Sequence, residues 1–197
     1  MAGFPELYVL RHGETVWNRE GRWQGIFDSP LTETGRRQAR DLGALLRAIG
    51  VTPRTHRFYV SPQGRARQTA RIVLGDGAEA ATDDRLSEIG VGDWAGMRRD
   101  EIIAAAGLPP GTDFLDHYRV APGGEPFEAL HARVAAFLRD LEGPAVVVTH
   151  GITSRFLRAA ALGWGIERVG ELPGGQGVVH RVRDGWHETL DASGPAG

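Results

Sequence analysis

Two arginines and two histidines stand where the chain leaves apolar runs or enters a predicted helix. Arg11 and His12 directly follow one apolar run, and His150 directly follows another. Arg65 lies in the first turn of a predicted helix. Two guanidinium groups and two imidazoles that converge would bind a tetrahedral dianion well, because Arg pairs bidentately with phosphate. This set therefore predicts a phosphate site.

An imidazole nitrogen can attack phosphorus if the ring is neutral and neighbouring cations neutralise the charge that builds on the equatorial oxygens. The leaving alkoxide then needs a proton, which a nearby carboxyl group can supply. Four acids lie between the second predicted strand and the segment after it, and spacing does not choose among them: Asp83, Asp84, Glu88 and Asp93.

Alternating strands and helices supply the positions of these groups in the first half of the chain. Leu7–Leu10 reads as a buried strand, because a short apolar run meets a polar segment at once. Thr32 is predicted as the N-cap of an amphipathic helix that ends near Ile49, before Gly50. A second strand, 58–60, and a helix, 65–74, follow in the same order.

The signals weaken between residues 83 and 124, where glycine and proline turns surround one short helical piece at 100–106. Regular periodicity then returns and predicts a helix over 127–141, a strand over 145–149, a helix over 153–162 and a final hairpin of strands 178–182 and 186–190. The hairpin is indicated by Asp184-Gly185, a pair that favours a two-residue turn.

This alternation predicts the α/β class: a three-layer α/β/α fold with a mostly parallel, mixed sheet. The chain length of 197 residues fits one domain, 1–197, with an insertion at about 90–126 over the C-terminal edge of the strands. In such sheets ligands bind beyond the carboxyl ends of the strands. The four basic side chains are therefore expected on one rim.

Composition excludes several classes of function. The absence of cysteine removes disulfides, thiolate nucleophiles and Cys-ligated metals. The net charge of −2 gives no basic field for nucleic acid. No His/carboxylate metal motif and no run of ~18 apolar residues is present. We therefore expect no metal, no cofactor, no nucleic-acid partner and no membrane span in a cytoplasmic protein, and the oligomeric state is open.

Six segments in one order resemble a known family, the histidine phosphatase superfamily that also contains the cofactor-dependent phosphoglycerate mutases. They are LYVLRHGETVWN from residue 7, GRWQGIFDSPLTETGRRQA from 21, SPQGRARQTA from 61, RLSEIGVGDWAG from 85, PGGE from 122 and VVVTHG from 146. The resemblance covers nearly the whole chain. It implies a phosphomonoesterase that acts through a phosphohistidine on a small phosphorylated metabolite.

The resemblance also implies roles for individual residues. His12 would be the nucleophile and Glu88 the proton donor, while Arg11, Arg65 and His150 would hold the phosphoryl oxygens. Less specific matches extend the phosphate site to Asn18 and the backbone of Gly151, and they give Gln24 as a substrate contact. Apart from the resemblance, Trp23 could wall the pocket, and His117 lies in the insertion, where a substrate contact is an alternative to an ordinary surface histidine. For Trp23, ordinary packing is an equally good interpretation.

The sequence departs from the family pattern on the substrate side. Ala95 stands where Glu is usual, Pro126 where Ser is common, and Gln63-Gly64 replace a more apolar pair.

Two alternative functions remain open at this point. A phosphoglycerate mutase would return the phosphoryl group to another hydroxyl, although the ERHYG-like stretch of such mutases is replaced here by GDWAGMRRDEI. A catalytically silent phosphoryl-binding module would not need both a nucleophile and an acid.

Overall fold

The strands of the computed structural model, which describes residues 4–75 and 77–191, form one six-stranded mixed sheet. They are β1 (Leu7–Arg11), β2 (Arg57–Val60), β3 (Ala81–Thr82), β4 (Ala145–Thr149), β5 (Val178–Arg183) and β6 (Trp186–Asp191). Their order across the sheet is β3-β2-β4-β1-β5-β6. The first four strands are parallel, and β5 and β6 are antiparallel to their neighbours.

The central strands are buried on both faces. Along β1, Leu7 and Val9 belong to one hydrophobic core, and Tyr8 and Leu10 belong to the other. The side chains of β4 alternate in the same way, since successive residues of a strand point to opposite faces of its sheet. The sheet is therefore the middle of three layers, which confirms the predicted fold class.

The described residues form seven α-helices besides the sheet: α1 (Val16–Arg19), α2 (Glu33–Ala48), α3 (Gly64–Leu74), α4 (Arg99–Ala106), α5 (Phe114–Arg119), α6 (Phe127–Arg139) and α7 (Gly151–Ala161). The core on one face includes buried residues of α2 and α3, and the core on the other face includes those of α6 and α7. None of the helices in the described ranges is long and apolar enough to cross a membrane.

The predicted helix ends agree with the structure in α2 and differ in α7. The side chain of Thr32 accepts a hydrogen bond from Gly35 N at 3.0 Å and caps α2, as predicted. The predicted start of α7 at Thr153 was wrong by two residues. His150 has extended backbone and occupies the N-cap position, so the helix begins at Gly151.

Three short elements were missed and the final hairpin was confirmed. β3 has only two residues, both exposed, and the helices α1 and α5 have four and six residues, so none of them leaves a periodic pattern. The hairpin turn has positive φ at both Asp184 (52°) and Gly185 (76°), which suits a tight connection between twisted strands.

The weakly patterned segment begins and ends at paired backbone. Val91 and Gly124 form an antiparallel bridge, and Glu125 N donates to Gly90 O at 2.8 Å. Between these ends lie α4 and α5. The segment predicted as an insertion therefore leaves and rejoins the rest of the chain at one place.

The loop after β1 packs directly on the backbone of α2. A Cβ atom built on Gly13 would overlap Gly35 O, and one built on Gly35 would overlap Glu14 O. Thr32 fastens the same contact, because its amide donates to Glu14 O at 2.9 Å. Glycine is required at both positions by this close approach of two backbones.

We predict that Gly35→Ala destabilises the protein by ~1–3 kcal/mol, because neither backbone can yield without moving the loop that follows β1. Equilibrium unfolding in urea measures this loss. Gly143→Ala is the matched control, since nothing lies within 4 Å of its added Cβ. Equal unfolding midpoints for the two variants would show that the contact is not tight.

Candidate active site

His12 is the first residue beyond β1 and is almost fully buried, with 2% of its surface exposed. Its amide donates to Thr149 O at 2.9 Å, so the backbone continues the pairing of β1 with β4. Nδ1 lies 2.8 Å from Gly13 O. Because a carbonyl oxygen only accepts, Nδ1 carries the proton and Nε2 has the lone pair, which accepts a hydrogen bond from Arg65 Nε at 3.2 Å.

Arg65 lies in the first turn of α3, and its guanidinium group is held in place by the loop before α2. Nη1 donates to Phe27 O at 2.6 Å and pairs with Asp28 Oδ1 at 2.9 Å, while Nη2 donates to Gly25 O at 3.0 Å. Nε points to His12 Nε2 at 3.2 Å. The Nε edge of the fork therefore faces the nucleophile candidate.

Asp28 is a functional residue that the sequence did not reveal. Besides the ion pair with Arg65, its carboxylate accepts from Gly64 N and from Arg65 N, at the start of α3. Gln63, the N-cap residue, gives no side-chain cap to this helix. Asp28 therefore both caps α3 and orients Arg65, although it lies 37 residues away in sequence.

His150 follows β4 and is completely buried beside His12, with the ring centroids 5.2 Å apart. Its Nε2 lies 2.7 Å from Ser61 Oγ, whereas Nδ1 is buried and has no partner among the described residues. If the hydroxyl donates to Nε2, then Nδ1 bears the proton and is free to donate. Ser61 was missed as a site residue, although it follows β2 at the same edge of the sheet.

Arg11 differs from Arg65 because no described residue accepts a hydrogen bond from it. Its Nε atom is buried and unpartnered. The guanidinium lies against the backbone of Gly151, where an added Cβ would be 3.4 Å from Arg11 Cζ. Arg11 is therefore a cation whose donors remain available to a ligand.

Among the four candidate acids, the structure brings Glu88 to this place. Glu88 lines the same cavity as Arg11 and His12, whereas Asp83, Asp84 and Asp93 do not. Asp83 instead pairs with Arg85 at 2.7 Å. The Glu88 carboxylate accepts from the Thr153 amide at 3.1 Å and the Thr153 hydroxyl at 3.0 Å, which fixes it against the first turn of α7.

The cavity at the carboxyl ends of β1, β2 and β4 has a volume of about 200 Å³. It is lined by Arg11, His12, Asn18, Gly21, Arg22, Trp23, Gln24, Gly25, Arg65, Glu88, Val91, Arg99 and Tyr118. Most of the predicted site residues are thus brought together. Trp23 stacks on Tyr118 at 3.9 Å between ring centroids, and Oε1 of Gln24 is buried without a partner in the described chain.

Three predicted residues do not line this cavity. His150 lies behind its wall, next to His12. Gly151 contacts Arg11 and lines an adjoining cavity, and His117 lines an outer cavity together with Tyr118. Gln176 is a further residue that the sequence analysis missed, besides Asp28 and Ser61. Gln176 donates from Nε2 to His12 O at 3.1 Å and to Asn18 Oδ1 at 3.2 Å. It lies in an irregular segment that carries no periodic signal.

Electrostatics in the cavity favour neutral imidazoles and a negative ligand. Burial, followed by Arg11 and Arg65, holds the pKa of His12 well below its ordinary value of 6.5. Burial and Arg65 have the same effect on the pKa of His150. No group of three or more His, Asp or Glu side chains in the described ranges is placed to hold a metal ion.

The chain belongs to the histidine phosphatase superfamily, because the sequence model of branch 1 of that superfamily matches residues 7–188. A protein of Enterobacter sp. (strain 638) named "Probable phosphoglycerate mutase GpmB" is 36% identical over 174 residues, covering 80% of this chain and 75% of that protein. The predicted resemblance is therefore confirmed.

Two solved structures have the same fold. The alpha-ribazole phosphatase of Shigella flexneri is 26% identical, with a TM-score of 0.78 and coverage of 94% of this chain and 96% of that chain. A mycobacterial glucosyl-3-phosphoglycerate phosphatase, in complex with VO3, is 31% identical, with a TM-score of 0.77 and coverage of 91% and 92%.

We predict that His12 and His150 remain neutral as the pH of the ligand-free protein is lowered through 6.5, because a depressed pKa extends the neutral form to lower pH. Histidine side-chain NMR measures the two titrations, with His12→Asn and His150→Asn assigning the signals. A midpoint at or above 6.5 for either ring would contradict the prediction.

Proposed function

We propose that this protein is a metal-independent phosphomonoester hydrolase that forms a phosphohistidine at His12 and acts on a small phosphorylated metabolite. The observation that carries the proposal is the state of His12. Its Nδ1 proton is held by Gly13 O, so the lone pair of Nε2 is directed into a cavity lined by Arg11 and Arg65. Membership of the superfamily supports the same chemistry.

In the first step, the lone pair of His12 Nε2 forms a bond to phosphorus while the bond from phosphorus to the ester oxygen breaks. Glu88, which must hold a proton when substrate binds, transfers it to the departing oxygen. Arg11, Arg65 and the Nδ1–H of His150 stabilise the charge on the equatorial oxygens. The Nδ2 group of Asn18 is a further donor, because Oδ1 already accepts from Thr15 N and Gln176.

In the second step, the Glu88 carboxylate takes a proton from water as the water oxygen attacks phosphorus. The nitrogen–phosphorus bond breaks, the electron pair returns to Nε2, and inorganic phosphate leaves. Two in-line displacements give net retention at phosphorus. Glu88 ends the cycle protonated, as it began, so the residue alternates between acid and base.

The proposed substrate carries a leaving group larger than the phosphate cavity. An outer cavity of about 630 Å³ shares Trp23, Arg99 and Tyr118 with the phosphate cavity and continues to Ile102 and Phe114. Its wall is mostly apolar and aromatic. The two phosphatases of similar structure are named for alpha-ribazole and glucosyl-3-phosphoglycerate esters, which supports a substrate of that size class.

A phosphoglycerate mutase is the second candidate, because curated relatives carry that name. It would use the same phosphohistidine but would return the phosphoryl group to a second hydroxyl before water could enter.

The predicted single domain, the cytoplasmic location and the lack of a nucleic-acid partner stay predictions.

We expect His12→Ala to lower kcat by at least ~10⁴-fold on every phosphomonoester that the wild type hydrolyses, because the covalent route is lost. Phosphate release from a panel of esters in the presence of EDTA measures this. Acid-labile, base-stable phosphate on the wild-type protein, detected by 31P NMR after rapid mixing, identifies phosphohistidine.

His56→Ala is the matched control for that loss, since His56 lies in the loop before β2 and lines none of the cavities described above. Hydrolysis that survives in His12→Ala, or that requires a metal removed by EDTA, would overturn the proposal. Isomerisation of a phosphoglycerate faster than phosphate release would establish the mutase instead. Tight phosphate binding without turnover would indicate a silent binding module.

We expect Glu88→Gln to slow the hydrolysis of alkyl phosphates by ~10²- to 10⁴-fold, because their alkoxide leaves poorly without a proton. An aryl phosphate with a good leaving group should form the phosphohistidine at near the wild-type rate. Pre-steady-state bursts on the two ester types separate these effects. An equal loss on both esters would show that Glu88 acts through structure rather than as the acid.

A further inference from the structure

A second cavity adjoins the phosphate cavity and shares Arg11, Glu88 and Tyr118 with it, but His12 and Arg65 do not line it. Its volume is about 160 Å³. Arg155 and Arg158 of α7 contribute to the rest of its wall. The proposed hydrolysis assigns no role to this space or to these two arginines.

The wall of this cavity carries more positive charge than the protein neutralises. Three guanidinium groups line it, and Glu88 is the one carboxylate among its lining residues. Arg158 is fully buried, and its hydrogen bonds go to Ser154 O, His187 Nε2 and Pro173 O, which are neutral acceptors. No carboxylate of the described chain lies within ion-pair distance of Arg158. A buried guanidinium without a counter-charge is costly, so an anion would be stabilising there.

The other two arginines have donors to spare. Nε of Arg11 is buried and unpartnered. Arg155 makes no hydrogen bond to a described residue and lies over the ring of Phe114, with Cζ 4.8 Å from the centroid. Asp113 attracts Arg155 electrostatically but is outside ion-pair distance, and it is committed to Leu115 N at 2.8 Å. Ordinary packing accounts for Arg158 alone but not for three convergent cations.

Neighbouring titratable groups respond to the same field. Burial, followed by Arg158, lowers the pKa of His180, another residue of the wall, to about 3. Burial and Arg155 lower the pKa of Arg158 to about 9, which leaves it charged at neutral pH. The cavity is thus positive and is lined by neutral imidazole and charged guanidinium groups.

We propose that this cavity is a second oxyanion site, in which Arg11, Arg155 and Arg158 bind a carboxylate or phosphate group beside the reacting phosphoryl group. Guanidinium groups with unused N–H donors suit both kinds of oxyanion. The bound oxyanion has two alternative sources. One is a second anionic group of the substrate, and this assignment rests on the proposed function. The other is a free anion such as released phosphate, and this assignment does not rest on it.

Titration with sulfate, an unreactive oxyanion, tests the site independently of catalysis. Histidine NMR signals of His180 report the second cavity, and those of His12 report the first. We expect two binding curves in the wild type. Arg155→Met should weaken the His180 curve by ~10-fold or more, because one charged hydrogen bond is lost, and leave the His12 curve in place.

Gly174→Ala is a second variant that keeps every charge. An added Cβ would lie 2.7 Å from Arg155 Nη2, so the guanidinium must shift, and the His180 curve should weaken again. Arg139→Met, an exposed arginine at the end of α6, is the matched control and should change neither curve. A wild-type His180 signal that does not respond to sulfate would overturn the proposal, whether or not the protein hydrolyses phosphate esters.

Kinetics then identify the source of the anion. A larger KM in Arg155→Met for an ester that bears a carboxylate, with no change for phenyl phosphate, assigns the site to the substrate. If Arg155→Met leaves the KM for both esters at the wild-type value but weakens sulfate binding at His180, the site is assigned to a free anion. Wild-type sulfate binding at His180 that persists unchanged in Arg155→Met would contradict both assignments.

Discussion

Parallel pairing of β4 with β1 on one side and β2 on the other determines where the charged groups of the site can stand. Arg11 pairs with Thr149, and Val60 pairs with Val148, so the three strands end within one residue of each other. The next residues along each strand are His12, His150 and Ser61. A one-residue slip of a strand would turn each of its side chains into the opposite core, where the packing does not fit it, so these residues are held at the same edge.

That placement concentrates positively charged groups in a buried cavity. The surrounding structure offsets part of the free-energy cost of removing these charges from water. Arg65 is neutralised by Asp28 and uses two backbone carbonyls as acceptors. The imidazoles avoid repulsion by remaining neutral. Arg11 receives no such compensation beyond the nearby charge of Glu88. An anionic ligand would therefore stabilise this region, because its charge would offset the cost of burying Arg11.

The sequence was sufficient to predict the site residues that strands and helices position, but not those that loops position. His12 and His150 follow predicted strands and Arg65 begins a predicted helix, so their convergence followed from the strand–helix alternation and from the position of ligand sites at the carboxyl ends of strands. Asp28, Ser61 and Gln176 reach the site through contacts with residues 37, 89 and 164 positions away. Their roles depend on side-chain distances that no local pattern records. Glu88 was separated from the other three acids by the resemblance and by the fold, not by spacing.

The backbone contact between Gly13 and Gly35 makes the position of His12 independent of the outer cavity. It holds the loop that carries His12 against α2 without any side-chain atom of either glycine, so its geometry does not depend on the identity of neighbouring side chains. Most of the wall of the outer cavity comes instead from the segment that leaves the fold at Val91 and returns at Gly124. Substitutions in that segment would therefore reshape the outer cavity while the position of His12 stays unchanged.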